Sequence, residues 1–248
     1  MDDPRSQQPD GQLVKPLADT TARGGLDVNG RGRLAIRPDR QSAADDAYRQ
    51  IRTLIVQGTL RPGQFINEQD LVDHLGIGRT PIREAIQRLA LQHLVEVFPR
   101  RGIAVTKLGL DDIQAIFEAR ETIEERTAQL AAVRRSDEEA AELSALGKQI
   151  RSASTRDDFG VFLDVDQRLH HLIAYAARNE ILAEIADHLL MLSDWVWHQY
   201  FFRHGSNPSD YFNHEPIVRA VVDRDPDAAA AAMREHVDHS RDVIRMAM

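Results

Sequence analysis

From about residue 44 onward, apolar residues recur every three to four positions, and they alternate only briefly around residues 94–107. Tyr48, Ile51, Leu54 and Ile55 share one helical face, and Gly58 suits a left-handed stop. The LRPG that follows turns the chain, Phe65 and Ile66 form a short extended segment, and Asn67 is a good N-cap. The next helix points Leu71, Val72 and Leu75 inward and ends at Gly76. A third helix has Thr80 as N-cap and Pro81 at its first position, with Ile82, Ala85, Ile86, Leu89 and Ala90 as a buried stripe. LVEVF and GIAVTK then flank Pro99, Arg100, Arg101 and Gly102 as a hairpin with a basic tip. Three helices and a two-stranded wing predict a winged helix-turn-helix over 41–107.

Residues 108–248 carry helical periodicity throughout. One long element runs to about Arg135, and Ser136 caps a helix reaching about Ser154. Further helices are predicted at 158–177, 179–203, 208–224 and 226–246, with Pro226 in a first helical turn. About six antiparallel helices without a strand signal make an α-helical bundle. The predicted fold is therefore mainly α, a winged helix-turn-helix followed by an all-α bundle. Residues 1–40 show no apolar periodicity and are expected to form a disordered arm. In that arm Arg31, Arg33, Arg37 and Arg40 are either solvated or in reach of phosphate.

With 42% hydrophobic residues the chain can bury a core, and having no cysteine excludes disulfide scaffolds, thiolate metal sites and cysteine nucleophiles. No apolar run approaches the roughly 18–20 residues needed to cross a bilayer. The start, MDDPRSQQPDGQ, is too acidic and polar for a secretory signal, so a cytoplasmic location is expected. The net charge of −8 is unevenly spread. Residues 41–107 hold 9 Lys and Arg against 7 Asp and Glu, whereas residues 108–248 hold 15 against 26. A mildly basic module precedes an acidic one, which leaves DNA binding open to the first.

Two groups of residues carry candidate chemistry. Arg79, Arg83 and Gln87 are spaced by four along the ridge opposite the buried stripe of the third helix, a basic face after a glycine turn. The alternative is a small domain whose arginines are merely solvated. In the second half, Asp166 and His170 share a helical face at i, i+4, while His214 and His236 lie on two other predicted helices amid apolar neighbours. If they converge, three histidines and a carboxylate suit Zn²⁺, Ni²⁺ or Mn²⁺. Spacing alone equally allows ordinary core or surface histidines.

The run IRTLIVQGTLRPGQFINEQDLVDHLGIGRTPIREAIQRLALQHLVEVFPRRGIAV resembles the DNA-binding domain of the GntR family of bacterial transcription regulators. That resemblance implies base and phosphate contacts from Arg79 and Arg83 in the major groove, a backbone-holding role for Thr80, and minor-groove entry by Arg101 and Gly102 at the wing tip. Gly78 stands where the family usually has Ser, and Gln69 stands near an Arg that some members use. The runs VDQRLHHLIAYAARN and HEPIVRAVVDRDPDAAAAAMREHV resemble the FCD effector domain of the FadR-type subfamily, in its shorter, six-helix version. The resemblance implies a divalent metal, most readily zinc, on Asp166, His170, His214 and His236, in preference to the adjacent His171 and His239. FEARETIEERTAQLAA resembles the first effector-domain helix, which implies that Arg120 binds the carboxylate of a small organic acid. The alternative for Arg120 is an ion pair with Glu124 at i+4. Trp195, Trp197, Tyr200, Phe201 and Phe202 are expected to serve the core before the cavity wall.

The expectation is a non-enzymatic, ligand-responsive regulator, a homodimer on an inverted-repeat operator in double-stranded DNA and a repressor of a catabolic operon. Two other readings compete. One is a metal-dependent hydrolase or lyase on the bundle, with Asp164 or Glu184 as general base. The other is a constitutive DNA binder whose metal is purely structural.

Overall fold

A computed structural model describes residues 27–28, 34–35, 42–155, 159–204 and 213–247. The first unit, residues 1–41, is described only at β1 (Asp27–Val28) and β2 (Leu34–Ala35), a two-residue antiparallel ladder. Arg31, Arg33, Arg37 and Arg40 of the expected arm lie outside the described residues.

The second unit begins with α1 (Ala43–Val56), entered through a capping box in which Ser42 accepts from the Asp45 N–H and Asp45 reaches back to Ser42. Asp45 also takes Arg88 at 2.5 Å, and the Arg88 guanidinium stands 4.3 Å above the Tyr48 ring. Arg88 thereby ties α1 to α3 (Arg79–Leu91). Gly58, with φ 75°, reverses the chain after α1 as its position predicts. Asn67 caps α2 (Glu68–Leu75) by accepting from the Gln69 N–H, and Gly76 closes α2 at φ 65°. An alanine at Gly76 meets no neighbouring atom, so its cost is the left-handed backbone alone. Gly76→Ala is expected to lose about 1–2 kcal/mol in urea denaturation.

The start of α3 differs from expectation. Gly78 is the N-cap, without a side-chain bond, and Thr80 lies inside the first turn. The first turn donates no intrahelical N–H, so Pro81 is tolerated at its third position as well as at its first, and proline does not mark the boundary. Ile82, Ala85, Ile86 and Leu89 are buried as the stripe requires, and Ala90 is partly buried. The wing consists of β4 (Val95–Phe98) and β5 (Gly102–Val105), with Phe98 paired to Gly102. The extended segment β3 (Phe65–Ile66) pairs with β5 on its other side, Ile66 opposite Ile103, giving a three-stranded sheet with β5 central.

Six helices follow among the described residues: α4 (Leu110–Arg134), α5 (Asp137–Thr155), α6 (Phe159–Ala176), α7 (Glu180–His204), α8 (Glu215–Val222) and α9 (Pro226–Ala247). Ser136 and Glu139 form the cap expected before α5, and Asp225 accepts from the Ala228 N–H at the start of α9. α4 packs against α6, α7, α8 and α9, so it is the central helix. Helix α8 is shorter than its predicted span, and His214 is its N-cap residue, not an interior position. Pro216 lies in its first turn, where no intrahelical N–H is needed, and bars the helix from beginning much earlier.

Trp195 is fully buried and Trp197 nearly so; Tyr200, Phe201 and Phe202 fall outside the residues whose side chains are described. One hydrophobic cluster runs from Ile51 and Leu89 through Phe117 to Trp195 and Ile244, so the winged module and the bundle share a core. The contact between them includes α1 on α7. At that junction burial, and then the neighbouring His93 and Arg52, push His188 of α7 below the ordinary histidine range.

Candidate functional site

Three helices bring polar side chains into the middle of the bundle. Asp166 and His170 come from α6, one turn apart, His214 from the cap of α8 and His236 from α9. The three histidines are buried and Asp166 is partly exposed. One donor atom from each residue can be chosen so that all four lie within 4.8 Å of one another. His214 Nε2 is 2.6 Å from Asp166 Oδ1, His170 Nε2 is 3.8 Å from the same oxygen, and the His214 and His236 rings are 4.4 Å apart. Donors sharing one tetrahedral ion at about 2.0–2.2 Å stand roughly 3–4 Å apart, so the cluster has the donor types and the scale of a coordination shell and would have to rearrange to close on an ion. The neighbours His171 and His239 stand outside it; His171 is engaged by Asp187 at 2.5 Å.

Behind His170 lies a residue that spacing did not mark as part of this site. Glu124 Oε2 is 2.6 Å from His170 Nδ1, on the side of the ring away from Asp166. A carboxylate behind a ligating histidine fixes which ring nitrogen faces the metal and raises its basicity. Glu124 Oε1 accepts from Arg120 Nε at 2.6 Å, and Arg120 Nη1 donates to Ser193 Oγ of α7 at 2.7 Å. The sequence offered the Arg120–Glu124 pair as an alternative to effector contact, and the structure has Arg120 both in that pair and on the cavity wall.

The electrostatics are consistent with this arrangement. Burial pushes the Glu124 carboxyl up, but Arg120 and His170 outweigh it and hold the group at about 2. Asp166 is likewise held below its usual range, because His170 and His214 overcome its desolvation. His170 is raised despite burial by Glu124 and Asp166, whereas burial and the neighbouring His214 and His170 push His236 well down. The carboxylates of Glu124 and Asp166 on either side of the His170 ring make this a place that favours positive charge.

The cluster opens through Asp166 and His236 on a narrow, partly enclosed cavity. Arg120, Asp166, Gln167, Ser193, Asp194 and His236 give it polar groups, and Phe162, Leu163, Leu190 and Trp197 give it apolar ones.

At the other end of the molecule, Arg79, Thr80, Arg83 and Gln87 are exposed on α3, and Arg101 and Gly102 are exposed at the wing tip. Arg79, Arg83, Arg101 and Gly102 line one open cleft between helix and wing. Arg100, at φ 66°, and Gly102, at φ 101°, shape the tip.

Residues 43–105 match the model of the bacterial regulatory proteins of the gntR family, and residues 115–239 match that of the FCD domain. The chain belongs to the gntR family, with an FCD domain as its second part.

This gntR-family regulator is 27% identical over 206 residues to the HTH-type transcriptional repressor RspR of Escherichia coli K12, covering 83% of this chain and 90% of that one. The HTH-type transcriptional regulator YdhC of Bacillus subtilis 168 is 30% identical over 146 residues, 57% of this chain and 64% of that one. Among solved structures, Escherichia coli McbR/YncC superimposes with a TM-score of 0.73 at 21% identity, covering 83% of the regulator and 98% of that chain. The regulator is therefore a DNA-binding transcription factor and not an enzyme. The nominated general bases Asp164 and Glu184 are exposed and line no part of the cavity beside the histidine cluster. Among the described residues no helix is long and apolar enough to cross a membrane.

Proposed function

We propose that the regulator is a cytoplasmic homodimer that represses a catabolic operon and is released when a small organic acid enters the bundle. The observation that carries this reading is the cluster of Asp166, His170, His214 and His236, of which Asp166 and His236 line one narrow cavity together with Arg120. The four donors hold a divalent ion, zinc by preference with nickel or manganese as alternatives, which supplies a fixed positive centre. Arg120 supplies a second, and a carboxylate bridges towards both. The narrow cavity restricts the ligand to a small molecule, with Ser193 and Gln167 available to its hydroxyl or keto groups. The relative named RspR is a repressor, which supports that direction of control.

Arg79, Thr80, Arg83 and Gln87 face the major groove and Arg101 and Gly102 the minor groove, two copies reading half-sites of an inverted repeat about one helical turn apart. An effector shifts the balance between arrangements of the paired modules only by its differential affinity for them. Arg83→Ala is expected to weaken specific operator binding by about 10–100-fold, the worth of a bidentate guanine contact, without changing the melting temperature. Titration of the selected operator in a gel-shift assay measures this, and unchanged affinity would remove Arg83 from the interface.

A further inference from the structure

The first turn of α2 faces the recognition helix with two side chains that have no place in the contacts assigned so far. Gln69 Oε1 accepts from Arg79 Nη2 at 2.5 Å, and Gln69 Nε2 donates to Asp73 Oδ1 at 2.8 Å. A glutamine reads adenine with those same two ends of its amide, so here the amide is committed within the protein. One residue earlier, Glu68 Oε2 receives Arg83 Nε at 2.8 Å. Glu68, Gln69, Arg79 and Arg83 all line the open cleft between helix and wing.

A guanidinium has five N–H donors in a rigid plane. Each of the two arginines commits one donor to α2 and keeps both terminal nitrogens able to donate outward. The end of the fork is what pairs with guanine O6 and N7. A long side chain already held in its binding rotamer loses less freedom when the base arrives. Glu68 has a second effect, since a carboxylate beside the groove repels phosphate of any sequence and lowers non-specific binding.

We propose that Glu68 and Gln69 are positioning residues for base recognition: Gln69 sets the aim of Arg79, Glu68 sets the aim of Arg83, and neither touches a base. The half-site is then read through two pre-aimed arginines, with no base contact from α2. This inference rests on the reading that Arg79 and Arg83 face the major groove, and the test separates the two.

The test uses the full-length protein and a duplex selected by it from a randomised library, titrated against every single-base substitution of the half-site. Gln69→Ala is expected to reduce discrimination about tenfold at the base whose readout Arg79→Ala abolishes, and nowhere else. Glu68→Ala is expected to do the same at the base assigned by Arg83→Ala, and to tighten binding to random-sequence duplex. Glu68→Gln keeps an acceptor without the charge, so it restores discrimination while non-specific binding stays tight. Losses spread evenly over all positions, or none with either α2 variant while the arginine variants alter the profile, would overturn the positioning role alone. Profiles unchanged by Arg79→Ala and Arg83→Ala would overturn the groove assignment, and this proposal with it.

Discussion

Replacing Arg120 by alanine is expected to destabilise the metal-free protein by about 3–5 kcal/mol, the usual result of removing one partner of a buried ion pair. Glu124 is only 2% exposed, and without the guanidinium it keeps only the His170 ring as a charged neighbour. For a chain of this size that corresponds to a fall of about 10 °C in melting temperature. The pH dependence has a definite sign. Glu124 is held at about 2, below its ordinary 4.5, so its contribution is complete above pH 4.5 and is lost as pH falls towards 2. In Arg120→Ala the carboxyl moves back up, and acid unfolding begins at higher pH. Arg120→Met combined with Glu124→Gln removes both charges, keeps an acceptor for His170, and is expected to recover most of the lost stability. Calorimetric melts of the three proteins between pH 3 and 7 measure this, and an Arg120→Ala protein as stable as wild type would show that the pair carries no such weight. The same double variant is the proper background for testing effector contact, because loss of binding in Arg120→Ala alone would mix recognition with a weakened fold.

The second large effect concerns the four donors. His170→Ala and His236→Ala are each expected to reduce bound metal from one ion per chain to near zero after exposure to zinc, nickel or manganese and desalting. An ion present at 1,000 times its dissociation constant stabilises the native state by about 4 kcal/mol, so metal-dependent gain in melting temperature should vanish in the same variants. His171→Ala and His239→Ala serve as controls and retain both properties, since these neighbours lie outside the cluster. Elemental analysis with paired thermal melts decides the matter. A wild-type chain that takes up none of the three metals would sink the site, and full metal content in His236→Ala would sink that ligand.

Much of this was legible in the sequence because it is local. Gly58, Asn67, Gly76 and Ser136 act within one helical turn, and a residue type suited to a cap usually caps. The stripe from Ile82 to Leu89 and the shared face of Asp166 and His170 follow from helical periodicity, whereas the preference for His170 over His171 came from the family resemblance. Thr80 misled because Thr and Pro are each tolerated at more than one position of a first turn. Glu124 stayed hidden for a different reason. It is 46 positions from His170, on another helix, and its role exists only once α4 packs against α6. The hold of Glu68 and Gln69 on the arginines is equally tertiary, arising from the angle between α2 and α3.

Helix α7 touches both ends of the regulator: His188 stands at the junction with the winged module, and Ser193, Asp194 and Trp197, only a few turns further on, wall the cavity. Any coupling between the two sites is necessarily reciprocal. If the acid loosens the grip on the operator, the operator loosens the grip on the acid by the same factor. The concentration at which a cell responds is then set partly by its DNA, and a protein held on a strong operator is a less sensitive sensor than the same protein free in solution.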